Sequence, residues 1–327
     1  MANSPAAWRA ALALCALAAM PVPGAQAQIF PAKSVRFVVP FATGGASDIV
    51  GRVVGQKLGE MWGQTVVVDN RAGGSGMIGT ELVARSAPDG YVLLVVEPTF
   101  AITPSLFAKV PFDVQKDFKP IAMIASTAFL VVAHPSFPPS SLQDLVAYAK
   151  AHPGEVNAGA GGRGTATHLA VELFNQRAGV KLVPVFYKSS VDTVTDLLGG
   201  RIQIAFAPVA SALPHVQSGA LKALAVTSAQ RSELAPNVPT IAESGVPGYD
   251  AAMWTGLFAP AGTPQDIVDR LSAAATKAVG SEDMQSKIKK SGGDPRVMGG
   301  KDFEDYVTKD IAKWSETVKA SGIEQTD

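Results

Sequence analysis

Three loops in this chain have the residue types to bind an anion. Residues 41–48 read FATGGASD, 72–79 read AGGSGMIG and 159–165 read GAGGRGT. Each lies between an apolar run suited to a strand and a periodic run suited to a helix. Such a unit exposes backbone N–H groups at the positive end of a helix, where an anion is stabilised. Glycine lets the backbone take positive φ and approach a ligand closely. Gly74, Gly76 and Gly79 spell G-x-G-x-x-G, with Glu97 at the end of the next strand, and Gly159, Gly161 and Gly164 spell it again. That is the outline of a dinucleotide site.

The spacing argues against a nucleotide. Asp69 to Gly73 separate the preceding strand from the first glycine, whereas the fingerprint begins almost at the strand end. After the second match, Tyr187 and Lys188 stand where an acidic residue would hold the ribose. We expect no cofactor. Loops 41–48 and 159–168 suit one small anion instead, through Thr43, Ser47 and backbone amides on one side and Arg163, Thr165, Thr167 and His168 on the other. Asp48 either orders its own loop or touches the ligand, and Arg163 either meets the anion or faces water.

Signals for catalysis are thin. The histidines are His134, His152, His168 and His215, and no H-E-x-x-H pair or G-x-S-x-G elbow accompanies them. His168, in the first turn of a predicted helix, has no readable nucleophile beside it. No metal site and no enzyme are expected.

The N-terminus reads as an export signal over residues 1–27. Arg9 precedes the apolar run AALALCALAAM, and Ala25-Gln26-Ala27 gives a small-x-small cleavage pattern. No paired arginine precedes the run, which sets aside folded export with a bound cofactor. Cys15, the one cysteine, falls inside that segment, so the mature chain has neither disulfide nor thiolate. Lys and Arg total 28, as do Asp and Glu, with no long basic run. Nucleic acid is therefore not an expected partner.

The elements that position the loops alternate strand and helix. VRFVV at 35–39, TVVV at 65–68 and YVLLVV at 91–96 read as buried strands. A helix over 48–62, with Ser47 as its cap, and one over 78–85 lie between them. This pattern predicts a parallel sheet with helices on both faces. Residues 98–120, rich in proline, read as irregular. IAMIASTAFLVVA at 121–133 is nearly continuous strand with a polar break at Ser126-Thr127. A second α/β series follows to residue 228, and WTGLFAP at 254–260 reads as a strand returning to the first series. Helices over 264–279 and 302–319 close the chain. The chain thus crosses twice, near 127 and near 250. It divides into lobe 1 (28–127 plus 250–327) and lobe 2 (128–249), with a cleft able to close between them.

Several collinear segments carry a resemblance. They include VPFATGGASDIVGR (39–52), VVVDNRAGGSGMIG (66–79), VPFDVQKDFKPIA (110–122), GGRGTATHLAVELF (161–174), PNVPTIAESGVPGY (236–249) and WTGLFAPAGTP (254–264). In these the chain resembles the extracytoplasmic solute receptors of tripartite tricarboxylate transporters, the Bug receptors. The resemblance implies a two-lobed type II periplasmic-binding-protein fold, two α/β domains joined by two crossover strands around a ligand cleft. It implies a monomer in the periplasm that captures a small di-, tri- or aromatic carboxylate. Delivery would be to a membrane complex of one large and one small subunit. The ligand contacts it implies are Phe41, Thr43, Gly44, Gly45, Ser47, Asp48, Gly161, Gly164, Thr165, Thr167, His168, Tyr187 and Ala207. The alternatives are a ligand sensor for a signalling receptor and a periplasmic enzyme.

Two departures from the family pattern bear on the ligand. The family commonly has glycine where Ser189 stands, and often an aspartate where Ala207-Pro208 follow Ala205-Phe206. Without that aspartate, we expect a carboxylate that lacks a free amine. Glu97 is a possible replacement partner for a cation.

Overall fold

The computed structural model describes residues 30–187 and 192–325. The predicted export signal, and Lys188 and Ser189, lie outside the described residues. All the elements below belong to one unit, Lys33–Asp327.

Apolar runs bounded by proline and glycine build two sheets. In the first, β1 (Val35–Val39), β2 (Val66–Asn70) and β3 (Val92–Val96) pair in parallel, with β1 in the middle. Val35, Phe37, Val38 and Val39 are all fully buried, as strands covered on both faces must be. Helices α1 (Ala46–Trp62) and α2 (Met77–Ala84) connect these strands, α2 preceded by a 3-10 turn at Gly74–Gly76. Strand β4 (Phe118–Thr127) and the later β10 (Met253–Pro260) and β11 (Met298–Gly299) complete the order β11-β4-β10-β3-β1-β2.

The second sheet has the order β7-β6-β8-β5-β9, from β5 (Phe129–Ala133), β6 (Asn157–Ala160), β7 (Val183–Phe186), β8 (Ile204–Pro208) and β9 (Lys222–Val226). Its helices are α4 (Leu142–Ala151), α5 (Ala166–Ala178), α6 (Asp192–Leu198) and α7 (Val209–Gln217). The first sheet adds α3 (Thr99–Leu106), α8 (Gln265–Val279), α9 (Glu282–Lys290) and α10 (Gly300–Ala320).

The sheets are mixed, which corrects the expectation of a parallel sheet. β10 runs antiparallel to both β3 and β4, and β5 runs antiparallel to β8 and β9. Parallel pairing needs a crossover connection. β5 follows β4 through Ala128 alone, entering the second sheet directly from the first, and β10 follows a run of turns and bends rather than a helix. Thr227 ties these two passages together. Its buried hydroxyl accepts the Phe129 N–H at 2.9 Å and donates to the Ala251 carbonyl at 3.3 Å. Residues 98–120 are more regular than expected, since they hold α3 with Pro104 inside it.

Candidate functional site

Loop 41–48 is organised from within by Asp48. Its Oδ2 accepts the Gly44 N–H at 2.8 Å, and its Oδ1 accepts Asn70 Nδ2 at 2.9 Å and pairs with Arg52 at 2.9 Å. The carboxyl is almost fully buried. Burial would raise its pKa, but the hydrogen bonds from Arg52, Gly44 and Asn70, with the Arg52 charge, hold it below the usual value. Of the two roles open to Asp48, ordering its own loop is the one its contacts fill. The expected Ser47 cap is corrected: the cap position is Gly45, without a side-chain bond, and the buried Ser47 hydroxyl has no partner among the described residues. Asp48 instead bonds the Gly44 N–H just ahead of the helix, ordering the loop and not capping the first turn. Phe41 is half-buried, its carbonyl accepting from Asn70 Nδ2, while Thr43, Gly44 and Gly45 are exposed.

Loop 161–168 is organised by the first turn of α5. Thr165 is the cap, its hydroxyl accepting the His168 N–H. Thr167 Oγ1 accepts the Gly161 N–H at 2.8 Å, and His168 Nδ1 accepts the Gly164 N–H at 2.9 Å. An accepting Nδ1 places the ring proton of the neutral imidazole on Nε2, which faces Glu172 Oε1 at 3.6 Å. Buried and edge-on to Phe186, His168 holds the loop's shape. Gly164 takes φ +79° to make the turn. The N–H groups of Ala166 and Thr167, at the start of α5, have no partner among the described residues.

These amides face a cavity of about 640 Å³ lined from both sheets. Glu97 and Thr99 line it at the end of β3, Gly164 to Thr167 at the end of β6, and Pro208 and Ala210 at the end of β8. Thr127, Phe129 and the β10 residues Met253 to Thr255 line it where the chain crosses between sheets. Trp254 is fixed there by donating Nε1–H to Asp310 Oδ2 at 2.9 Å. Of the expected ligand contacts, the cavity wall contains Gly164, Thr165 and Thr167. Phe41, Thr43, Gly44, Gly45, Ser47, Asp48, Gly161, His168, Tyr187 and Ala207 lie outside it. Ala207 is fully buried in the second core, and the Tyr187 hydroxyl donates to Asp196 at 2.9 Å. Burial, then that carboxylate, pushes the Tyr187 hydroxyl up to about 12.

The wall has two charged residues. Arg163 is exposed, with its guanidinium over the Phe186 ring at 5.1 Å. Glu97 is half-buried, and burial pushes its carboxyl up to about 7. Sequence reasoning missed Thr99, Thr255 and Trp254. Thr99 follows the same strand-then-helix logic as Thr165, but no glycine marks its loop. Ser75 also lines the cavity, at the unusual φ of +54°.

The chain matches the family model described as the tripartite tricarboxylate transporter family receptor over residues 50–323. The chain belongs to this receptor family. BugT of Bordetella pertussis is 35% identical over 298 residues, covering 90% of this chain and 91% of BugT. An R. palustris protein solved with adipate is 35% identical, with a TM-score of 0.71, over 91% of this chain and 100% of that one. MatC from Rhodopseudomonas palustris, solved with bound malate, is 30% identical, with a TM-score of 0.67, over 88% and 100%.

Packing gives a role to the glycines that suggested a dinucleotide. In this receptor a Cβ on Gly79 would sit 2.8 Å from the Arg71 carbonyl and 2.9 Å from Pro40 Cα. Gly79 thus lets α2 pack directly on the chain leaving β1. Gly76 takes φ +91° beside the Phe41 ring. These glycines shape the receptor's loop, and of this loop Ser75 is the residue that lines the cavity.

Proposed function

We propose that this receptor captures a small carboxylate in the periplasm and hands it to the large and small membrane subunits of a tripartite tricarboxylate transporter, acting as a monomer. One carboxylate of the ligand binds at the N-terminus of α5. The observation that carries this reading is the pair of unpartnered amides, Ala166 and Thr167, opening on the cavity beside Arg163 and the Thr165 hydroxyl. A helix start with free N–H groups and a neighbouring guanidinium favours a carboxylate over a neutral ligand. The relatives solved with adipate and malate support the same ligand class.

In this reading the lobes are residues 28–127 plus 250–327 and residues 128–249, hinged where Thr227 ties the crossings. Gly164, Thr165 and Thr167 touch the ligand directly. The exposed Thr43, Gly44 and Gly45 come onto it when the lobes close. Phe41, Ser47, Asp48, Gly161, His168, Tyr187 and Ala207 shape the two loops behind that surface. Ligand stabilises closure because only the closed form engages both loops. Calorimetric titration of the refolded, ligand-free protein with adipate, malate, citrate, benzoate, aspartate and NAD tests this. We expect binding within one carboxylate class. Binding of NAD with no response to any carboxylate would overturn it.

A further inference from the structure

Glu97 has no partner in a place where it would need one. It lines the cavity at the foot of α3, and its carboxyl makes no hydrogen bond or ion pair among the described residues. Arg163 is the other charged residue of the wall, across on the loop before α5. The titratable groups on the surrounding elements are outside the wall, and most are engaged elsewhere. On α1, Asp48 and Arg52 pair with each other; on α5, His168 faces Glu172; at the end of α9, Lys289 pairs with Glu233. His215 on α7, Lys290 on α9 and Lys119 on β4 also lie outside the wall, as does Asp294 beyond Gly292, whose carboxylate accepts from the Ser232 hydroxyl and the Glu233 N–H, and α3, β3 and β10 carry no charged side chain.

The rest of the cavity favours negative charge. Ala46 of α1, Thr99 of α3, Ala166 of α5 and Ala210 of α7 bring four helix starts to the wall. A dicarboxylate drawn in by them would lie against an ionised, poorly solvated Glu97 with no cation beside it, and like charges in one site disfavour double ionisation. Protonation removes the repulsion and turns an acceptor into a donor.

We propose that Glu97 binds the ligand's second carboxylate as a neutral acid, donating its O–H, so that in alkaline solution, where the free carboxyl is ionised, each dicarboxylate is captured together with one proton from solvent. This rests on the carboxylate-receptor reading and adds a specificity residue to it. It also gives a physical basis for a ligand without a free amine, since a neutral Glu97 offers an ammonium no counter-charge. Because burial already holds the free carboxyl near neutrality, the proton is available at ordinary pH.

The test is calorimetry with adipate and with malate, both almost fully ionised above about pH 6.5. Wild-type affinity should weaken by roughly 20-fold between about pH 6.5 and about pH 8.5, approaching tenfold per pH unit at the upper end. Titrations in buffers of different ionisation enthalpy should show close to one proton taken up per ligand at about pH 8. Glu97→Gln, a neutral donor of the same shape, should bind with no such pH dependence. Two results would overturn the proposal while leaving the receptor reading intact. One is carboxylate binding by wild type that is flat with pH. The other is binding of an amino acid that strengthens with pH and is lost in Glu97→Gln, which would make Glu97 a cation partner. Failure of every carboxylate at every pH would overturn the receptor reading and this proposal together.

Discussion

Replacing Glu97 by glutamine should stabilise the ligand-free protein at alkaline pH and leave it unchanged in acid. The folded chain holds the Glu97 proton up to about 7, against an ordinary value of 4.5. Between those two values the folded state keeps a proton that the unfolded state has lost, so stability falls as pH rises through that window and levels off above it. The full shift corresponds to about 3 kcal/mol. The side chain is only half-buried, and solvent screening reduces the expected effect to about 1–2 kcal/mol. For a chain of this size that is a rise in Tm of roughly 2–3 °C. Thermal unfolding of wild type and Glu97→Gln, each at about pH 5 and about pH 8, measures it, with the gap opening at the higher pH. Equal midpoints at both values, or a gap of the same size at both, would refute the claim that an unpaired, desolvated carboxyl stands in the cavity.

Two other substitutions test the parts that hold the site. Asp48→Asn should cost about 2 kcal/mol near neutral pH, because it removes the charged acceptor shared by Gly44, Asn70 and Arg52. Asp48 is held below 3.8, so its contribution is complete above that value and is lost as pH falls through the lower folded value. In urea unfolding, the gap to wild type should therefore close in acid. Thr227→Val keeps the shape but leaves the Phe129 N–H without its acceptor. It should cost about 1–3 kcal/mol, read as a lower urea midpoint at an unchanged slope; no change would mean the hydroxyl does not tie the crossings.

Much of the fold was legible because strand and helix periods differ and the core runs are long. VRFVV, YVLLVV and FLVVA are strands for the reason their apolar runs suggested, and the Ser126-Thr127 break does lie at the junction of β4 and β5. The antiparallel insertion of β5 and β10 was not legible, because strand direction depends on which sheet the chain has just left. Helix α3 was hidden by Pro98 and Pro104, although Phe100, Ala101 and Ile102 are buried on it. Helix α9 was hidden by its charges, although Met284 and Ile288, one turn apart, form its buried stripe.

The site was legible where a glycine loop meets a helix and illegible elsewhere. Gly164, Thr165 and Thr167 stand in the cavity wall, as a loop of that composition suggested. Thr43 and Ser47 looked similar in sequence, yet the first is exposed and the second is buried under its own helix. Trp254, Thr255 and Phe129 line the cavity from strands that read as plain core. What sets them apart is their position where the chain crosses between sheets, which a single run of residues does not reveal.

The central claim is that a carboxylate rests on the start of α5, and a crystal structure of the protein with adipate or malate tests it most directly. The account predicts a carboxylate oxygen within hydrogen-bond distance of the Ala166 or Thr167 N–H, with the Thr165 hydroxyl beside it. A ligand bound in the cavity with those amides still unpartnered, or bound outside the cavity altogether, would contradict it.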